Sequence, residues 1–392
     1  MTKFWIFIVC LLVFCSCNVT FGQEEEKNFN IMFWNVENFF DPFDDSLKLD
    51  DEFTLGGNHG WTWVRFNQKL NNAYKVIMSI GWEPPDIIGL CEVENRWVLE
   101  RLTRMTPLSK FEYQIIHHDS PDLRGIDVAM LYIPASFRPL KTSFIPVTGL
   151  KTGDDPTRDI LFVKGIIKSL DTVNIFVNHW PSRYPGLVET IHKRQAAALV
   201  LKRNIDSLFA AEHGCKIIIM GDFNDEPWDE SISEILGVKV QGDERPPYSG
   251  KIVKTEFGVT EAAMQEGKEM LYSGKVLKTR SGVSGVSVPG DLISGNEIIA
   301  NDLYDLVPPI KKSITGTLKF EGRWYLFDQF IISGGLLAKT SSFETEIIGY
   351  DFLIKEDEAY TGQKPFRTYN GYIYQGGYSD HLPVVLEIIK GL

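Results

Sequence analysis

The sequence predicts a layered domain of the α/β or α+β class, in which helices cover strands that are buried on both faces. Several short apolar runs are bounded by turn residues, which is typical of such strands. Two longer segments carry apolar residues at helical spacing, and each ends at a glycine. The chain has 392 residues, 44% of them hydrophobic. This length and composition support a large core and exclude disordered, collagen-like and coiled-coil chains.

The predicted strands are short, and polar or acidic residues lie at their ends. They cover residues 31–34, 87–91, 175–177, 217–220, 325–332 and 383–389. The predicted helices cover 64–80 and 187–213, which are followed by Gly81 and Gly214. Asn95 is expected to cap a third helix that ends at Met105, because asparagine is a preferred N-cap residue.

Residues 1–22 have the pattern of a secretory signal. Lys3 precedes the uncharged apolar run 4–14, and the small or polar segment 16–22 follows. The apolar run is too short to span a bilayer. Cleavage after Gly22 would begin the mature chain at Gln23, and a lipoprotein-type cleavage before Cys17 is the alternative. We therefore expect an exported protein that is secreted, periplasmic or lipid-anchored at Cys17.

The remaining residues, 23–392, are expected to form one domain with insertions at about 41–63 and 227–319, since neither segment has the composition of a linker. Three of the five cysteines lie in the leader. The other two, Cys91 and Cys215, are expected at opposite ends of their strands, too far apart for a disulfide.

The net charge is −12, from 40 Lys and Arg against 52 Asp and Glu. This charge disfavours a protein that binds nucleic acid through charge alone. A cation-dependent site for phosphate remains compatible with it, because a bound metal reverses the local field.

Acidic, amide and imidazole side chains collect at the ends of the predicted strands. They are Asn35, Glu92, Asp127, His179, Asp222, Asn224, Asp328, Asp380 and His381. Such a set, with no thiolate cluster, favours Mg²⁺, Mn²⁺ or Ca²⁺ over structural zinc. The neighbours in Ser379-Asp380-His381 cannot converge as a catalytic triad, and the sequence has neither a nucleophile-elbow nor a P-loop motif.

Six segments together resemble the endonuclease/exonuclease/phosphatase superfamily, the DNase I-like phosphoesterases. They are 33–38, 90–95, 177–180, 221–225, 327–330 and 379–384. Gly-Asp-Phe-Asn at 221–224 and Ser-Asp-His-Leu-Pro at 379–383 are specific as a pair. The chain departs from the family pattern at Cys91, where glutamine is usual, and at Gln329, where tyrosine is commoner.

The resemblance implies a four-layered α/β/β/α sandwich of two packed mixed sheets flanked by helices, with the site at one edge. It implies that Glu92, Asn35 and Asp380 bind the metal. It also implies that Asp222 and Asn224 orient the attacking water and the phosphate. It makes His381, held by Asp328, a general base or phosphate stabiliser, and His179 a donor to a non-bridging oxygen. It places Arg124 at the substrate phosphate, with Asp127 orienting His179.

The expected activity is Mg²⁺-dependent hydrolysis of phosphodiester bonds, with Mn²⁺ or Ca²⁺ as alternative ions. DNA or RNA is the first expected substrate. The alternatives are lipid head groups, as for a sphingomyelinase, and inositol phosphates. A non-catalytic binding module of the same fold is a third hypothesis. We expect a monomer without a stable protein partner.

Overall fold

The computed structural model describes residues 28–168, 170–240, 253–255, 258–260, 298–309, 314–340 and 342–389. The predicted leader, with both of its cleavage sites, lies outside these residues. Within them, no helix combines the length and the apolar character that crossing a bilayer requires.

Two large sheets contain most of the strands. The described strands are β1 (Phe29–Phe39), β2 (Ile87–Val93), β3 (Gln114–His117), β4 (Asp127–Tyr132), β5 (Phe137–Ile145), β6 (Ile160–Ile167), β7 (Asp171–His179), β8 (Ile217–Asp222), β9 (Val238–Val240), β10 (Val253–Thr255), β11 (Gly258–Thr260), β12 (Leu303–Asp305), β13 (Leu318–Phe320), β14 (Arg323–Tyr325), β15 (Asp328–Ser333), β16 (Ser342–Ile347), β17 (Ile354–Glu356), β18 (Gln363–Pro365), β19 (Tyr369–Asn370), β20 (Ile373–Tyr374) and β21 (Val384–Ile389). The first sheet has the order β16-β21-β1-β2-β4-β3 and the second has the order β5-β6-β7-β8-β15-β12-β9. Both are mixed, because β1 and β2 run parallel in the first sheet, as do β7 and β8 in the second, among antiparallel neighbours.

Helices cover the outer faces of the two sheets. The described α-helices are α1 (Trp63–Met78), α2 (Arg96–Met105), α3 (Leu187–Ala211) and α4 (Gly334–Leu337). Short 3-10 helices lie at Asp51–Phe53 and Pro107–Phe111, and a π-helix lies at Ser231–Leu236. Apolar residues of α1 and α2 share a core with the first sheet, whereas those of α3 share a separate core with the second. The predicted α/β/β/α layering is therefore confirmed.

Strand β8 illustrates why its sequence is a continuous apolar run. Ile217 and Ile219 pack with α3, whereas Ile218 and Met220 face the other sheet. Successive side chains of a strand point to opposite faces, so a strand between two layers needs apolar residues at every position. A Cβ on Gly89 would lie 2.9 Å from Met220 Sδ, so glycine allows the two sheets to approach closely here.

The predicted helices are confirmed with shifts of one or two residues at three of their four ends. Asn95 caps α2 as predicted, with its side-chain oxygen accepting from Val98 N at 3.1 Å. Cys91 and Cys215 are buried free thiols, as expected.

One predicted strand boundary was wrong. The strand predicted at 325–332 begins at Asp328, because Tyr325 ends a separate hairpin with Leu318. The segment 227–319, predicted as an insertion, contributes β9 and β12, which extend the second sheet beyond β15. These strands have three residues each, too few for periodicity to reveal.

Candidate active site

The predicted site residues meet where strands of both sheets end, and Asp222 at the end of β8 lies at the centre. Its Oδ2 atom accepts from Asn35 Nδ2 at 3.0 Å. The same oxygen lies 3.7 Å from His179 Nε2 and 3.8 Å from His381 Nε2. Asp222 is buried. Three side chains that are far apart in the sequence thus converge on one carboxylate.

The backbone leaves regular strand geometry at this edge. The register of β1 against β2 shifts after Asn35, and that of β2 against β4 shifts after Cys91. Glu92 and Asn38 adopt left-handed conformations, with φ of 60° and 50°. Bulges of this kind redirect side chains near active sites. Here they bring Glu92 Oε2 to Asn38 N at 2.9 Å and Oε1 to Asn35 Nδ2 at 3.2 Å.

His381 is held in the cleft by a buried carboxylate. Its Nδ1 lies 2.7 Å from Asp328 Oδ2, so the predicted contact is present. Its backbone N–H donates to Ser379 Oγ, which donates in turn to the carbonyl of Asn35. Burial alone would lower the pKa of His381, but the charges of Asp328 and Asp222 outweigh it and hold this pKa well above its usual value. These two carboxylates therefore favour the imidazolium form of His381.

The pKa of His179 is shifted in the opposite direction to that of His381. Burial, with a further contribution from the positive charge of Arg158, holds the pKa of His179 well below its usual value. Its Nδ1 has no hydrogen-bond partner among the described residues. The prediction that Asp127 orients His179 is wrong, because Asp127 accepts from Ser120 N at 2.8 Å and lies 3.4 Å from His117 Nε2. Burial therefore favours the neutral form of the His179 imidazole.

The remaining predicted residues lie at the rim of the cleft. Asn224 N donates to Asp222 Oδ1 at 3.0 Å, and Asn224 Nδ2 donates to Trp180 O at 3.1 Å. The amide is thereby fixed next to the central carboxylate. The Arg124 side chain is 49% exposed and lies 3.8 Å from Asp122, so its guanidinium remains accessible to an anion.

Three charged residues that the sequence analysis missed lie behind Asp380. Arg367 donates to Asp380 Oδ2 at 2.9 Å and to Glu37 Oε1 at 3.2 Å. Lys69, from α1, donates to Thr368 Oγ1 at 2.5 Å. Glu37 and Lys69 are each no more than 2% exposed. Arg367 therefore positions Asp380 and is itself held in place by the buried Glu37.

Burial moves the pKa values of Lys69 and Glu37 closer to neutral pH, from opposite sides. It lowers the pKa of Lys69 to about 8, with Glu37 the largest opposing influence. It raises the pKa of Glu37 to about 7, and the charge of Asp380 adds to that effect. A signal for Lys69 was present in the sequence, since it lies on the apolar stripe of α1 beside Phe66 and Leu70. A lysine at a core position usually has buried partners.

The predicted metal ligands fit a hard divalent cation. Glu92 and Asp380 side chains are 16% and 24% exposed, so their carboxylates face an opening. Asn35 connects the segments that carry them, because its Nδ2 donates to Glu92 Oε1 and its carbonyl accepts from Ser379 Oγ, next to Asp380. Their carboxylate oxygens are the type of donor that Mg²⁺, Mn²⁺ and Ca²⁺ prefer. Asn35 Oδ1 accepts from Glu37 N at 2.9 Å, and its role as a metal ligand stays a prediction.

A layered sandwich with carboxylates and histidines at one edge defines a metal-dependent phosphoesterase of the DNase I-like class. The profile of the Endonuclease/Exonuclease/phosphatase family matches residues 30–255 and 292–390. The chain therefore belongs to this family and is a metal-dependent phosphoric ester hydrolase. Among curated protein sequences, none matches the chain.

Solved structures with low sequence identity have a similar fold. An endonuclease/exonuclease/phosphatase family protein from Bacteroides thetaiotaomicron is 14% identical, with a TM-score of 0.50, over 93% of this chain and 99% of that one. Truncated TDP2 from Caenorhabditis elegans is 15% identical, with a TM-score of 0.48, over 92% and 97%. A mannosyl-6-phosphatase from Bacteroides thetaiotaomicron is 14% identical, with a TM-score of 0.49, over 92% and 99%.

Proposed function

We propose that the protein is a Mg²⁺-dependent phosphodiesterase, with nucleic acid as its first expected substrate. The observation that carries this proposal is the pair of histidines around Asp222. Both Nε2 atoms lie within 4 Å of the same oxygen, and the surroundings shift the pKa of His179 down and that of His381 up. Phosphodiester hydrolysis needs an oriented water, donors to the phosphate oxygens and neutralisation of the developing charge.

Each residue of the site has a role in this scheme. A divalent cation held by Glu92 and Asp380 supplies charge neutralisation at the phosphate when it is bound. His381, kept cationic by Asp328, stabilises negative charge on the phosphate, and the neutral His179 donates a hydrogen bond to a non-bridging oxygen.

The pKa values favour Asp222 over His381 as the general base. Burial, partly offset by His381, raises the pKa of Asp222 to about 6. A carboxylate with such a pKa accepts a proton from water more readily than an ordinary aspartate. Asn224 is well placed to hold the attacking water, since its backbone N–H already fixes the other oxygen of Asp222.

The charges around the cleft support a second candidate, a phosphodiesterase or phosphatase that acts on a small phosphorylated substrate such as a lipid head group or an inositol phosphate. Arg183 pairs with Asp225 and Asp229, and Arg323 pairs with Glu226. These arginines are already neutralised, and the whole chain has a net charge of −12. A long polyanion normally binds to a row of unpaired positive charges.

Purified protein, assayed with Mg²⁺ on plasmid DNA, RNA, a phosphocholine lipid and an inositol phosphate, separates these candidates. Cleavage of DNA or RNA supports the first proposal. Cleavage of the lipid or the inositol phosphate alone replaces it with the second. Turnover of the preferred substrate should stop with a chelator and in His381→Ala. Equal turnover by His381→Ala and the parent would instead favour a binding module.

We further propose that the protein is exported, because of the leader pattern in residues 1–22. Mass spectrometry of the mature N-terminus tests this proposal. A chain that begins at Gln23 indicates a released protein, an acylated Cys17 indicates a lipid anchor, and an intact Met1 contradicts export.

A further inference from the structure

A second group of ligand-type side chains lies outside the catalytic cleft, where β3 ends and β4 begins. His117 Nε2 lies 3.4 Å from Asp127 Oδ2, and His117 Nδ1 lies 3.8 Å from Asp119 Oδ1. One ligand atom from each of the three residues lies within 4.8 Å of the others. None of the three belongs to the groups that converge on Asp222.

Buried polar atoms without partners point to a ligand at this group. The His117 side chain is only 2% exposed, and its Nε2 has no hydrogen-bond partner among the described residues although it faces Asp127. The Oγ atom of Ser120 is also buried without a partner, while Ser120 N donates to Asp127 Oδ1. Buried polar atoms normally have partners, so unpaired ones near a single carboxylate call for a ligand.

The donor set indicates which ligand this is. One imidazole nitrogen and two carboxylates suit a divalent transition-metal ion of the Zn²⁺ or Mn²⁺ type, whereas Mg²⁺ and Ca²⁺ prefer oxygen alone. Two ligands around such an ion, each about 2.0–2.2 Å from it, are about 3.3–3.6 Å apart in tetrahedral geometry. The distance of 3.4 Å from His117 Nε2 to Asp127 Oδ2 matches this spacing. Asp119 is 73% exposed, so an ion can enter from solvent and Asp119 can close on it.

We propose that His117, Asp119 and Asp127 form a second metal site, which binds a Zn²⁺-type ion and is separate from the catalytic centre. The site lies at the base of the loop 118–126, which carries Arg124. Lys48 Nζ stabilises this loop by donating hydrogen bonds to the carbonyls of Ser120 and Asp122. An ion at the proposed site connects the two ends of this loop, because His117 precedes it and Asp127 follows it. The site is therefore structural and supports the rim of the cleft.

Zn²⁺ uptake measured by equilibrium dialysis and elemental analysis tests the proposal. With excess Mg²⁺ to occupy the catalytic centre, the parent should bind one tight Zn²⁺ equivalent, which is lost as the affinity weakens about 10–100-fold in Asp119→Asn and in His117→Ala. Asp351→Asn, which changes an exposed aspartate elsewhere, is the matched control and should keep it. Glu92→Gln should also keep it, which distinguishes this site from the catalytic one.

Retention of that equivalent in Asp119→Asn or in folded His117→Ala overturns the proposal. If His117→Ala does not fold, Asp119→Asn still decides, because it changes an exposed side chain. Crystals grown with Zn²⁺ give an independent check through anomalous scattering. A peak is expected between His117 Nε2 and Asp127 Oδ2, and its absence at full Zn²⁺ occupancy elsewhere also overturns the proposal.

Discussion

His381 Nδ1 and Asp328 Oδ2 lie 2.7 Å apart, although 53 positions separate the two residues in the sequence. Asp328 is the first residue of β15 in the second sheet, and His381 precedes β21 in the first. Each sheet therefore contributes half of the pair, and the packing of the two sheets brings the halves together. The site depends on the core between the sheets as much as on its own residues.

Replacement of Asp328 by asparagine should lower kcat about 100-fold, because the variant removes the charge that keeps His381 cationic. The pKa of His381 should fall toward its ordinary value, which an NMR titration of the imidazole would detect. Asp351→Asn should change neither quantity. A shifted pKa with unchanged kcat would show that the charge on His381 is not used in the reaction.

Replacement of Glu92 by glutamine should lower kcat/KM at least about 100-fold and raise the Mg²⁺ concentration needed for half-maximal activity. Glutamine retains an acceptor for Asn38 N but lacks the negative charge that holds the ion. The side chain is 16% exposed, so the fold should persist. Glu100→Gln, on the surface of α2, is the control and should keep full activity. An unaltered Mg²⁺ dependence in Glu92→Gln would remove this residue from the metal site.

Much of the fold and of the site was predictable, because the signals involved are local. The run before Asp222 is apolar at every position, which only a strand buried on both faces requires. Asp222, His179 and His381 each lie next to such a run, so a polar cluster at one sheet edge follows from the pattern. Asn95 caps its helix for the same local reason.

Other features depend on contacts that no local pattern contains. Lys69 meets Thr368 across 299 positions, and its partners Thr368 and Tyr378 flank a small hairpin that the sequence does not reveal. The left-handed conformation of Glu92 arises from a register shift between strands, not from a glycine. Asp127 was assigned to His179 from its place at a strand end, yet the fold pairs it with His117.

Replacement of Lys69 by methionine should destabilise the protein by about 2–4 kcal/mol, because it removes the buried donor to Thr368 Oγ1 and to the carbonyl of Tyr378 and the positive charge that stabilises ionised Glu37. Urea unfolding measures this change. Lys75→Met, an exposed lysine on the same helix, should cost less than about 0.5 kcal/mol. Adding Glu37→Gln to Lys69→Met should recover part of the loss. Additive losses would mean that the two charges are not coupled.

Glu94 should make the free energy of unfolding depend on pH. Its buried carboxyl accepts from Asp41 N, and burial raises the pKa of Glu94 from 4.5 to about 9. Between these values the folded state keeps a proton that the unfolded chain releases, so this residue lowers stability progressively as pH rises. Glutamine stays neutral at every pH, and Glu94→Gln should therefore gain stability relative to the parent from about pH 5 to about pH 9. Urea titrations of both proteins in a chelator, at several pH values, measure the difference. A constant difference across this range would show that Glu94 is ionised in the folded protein.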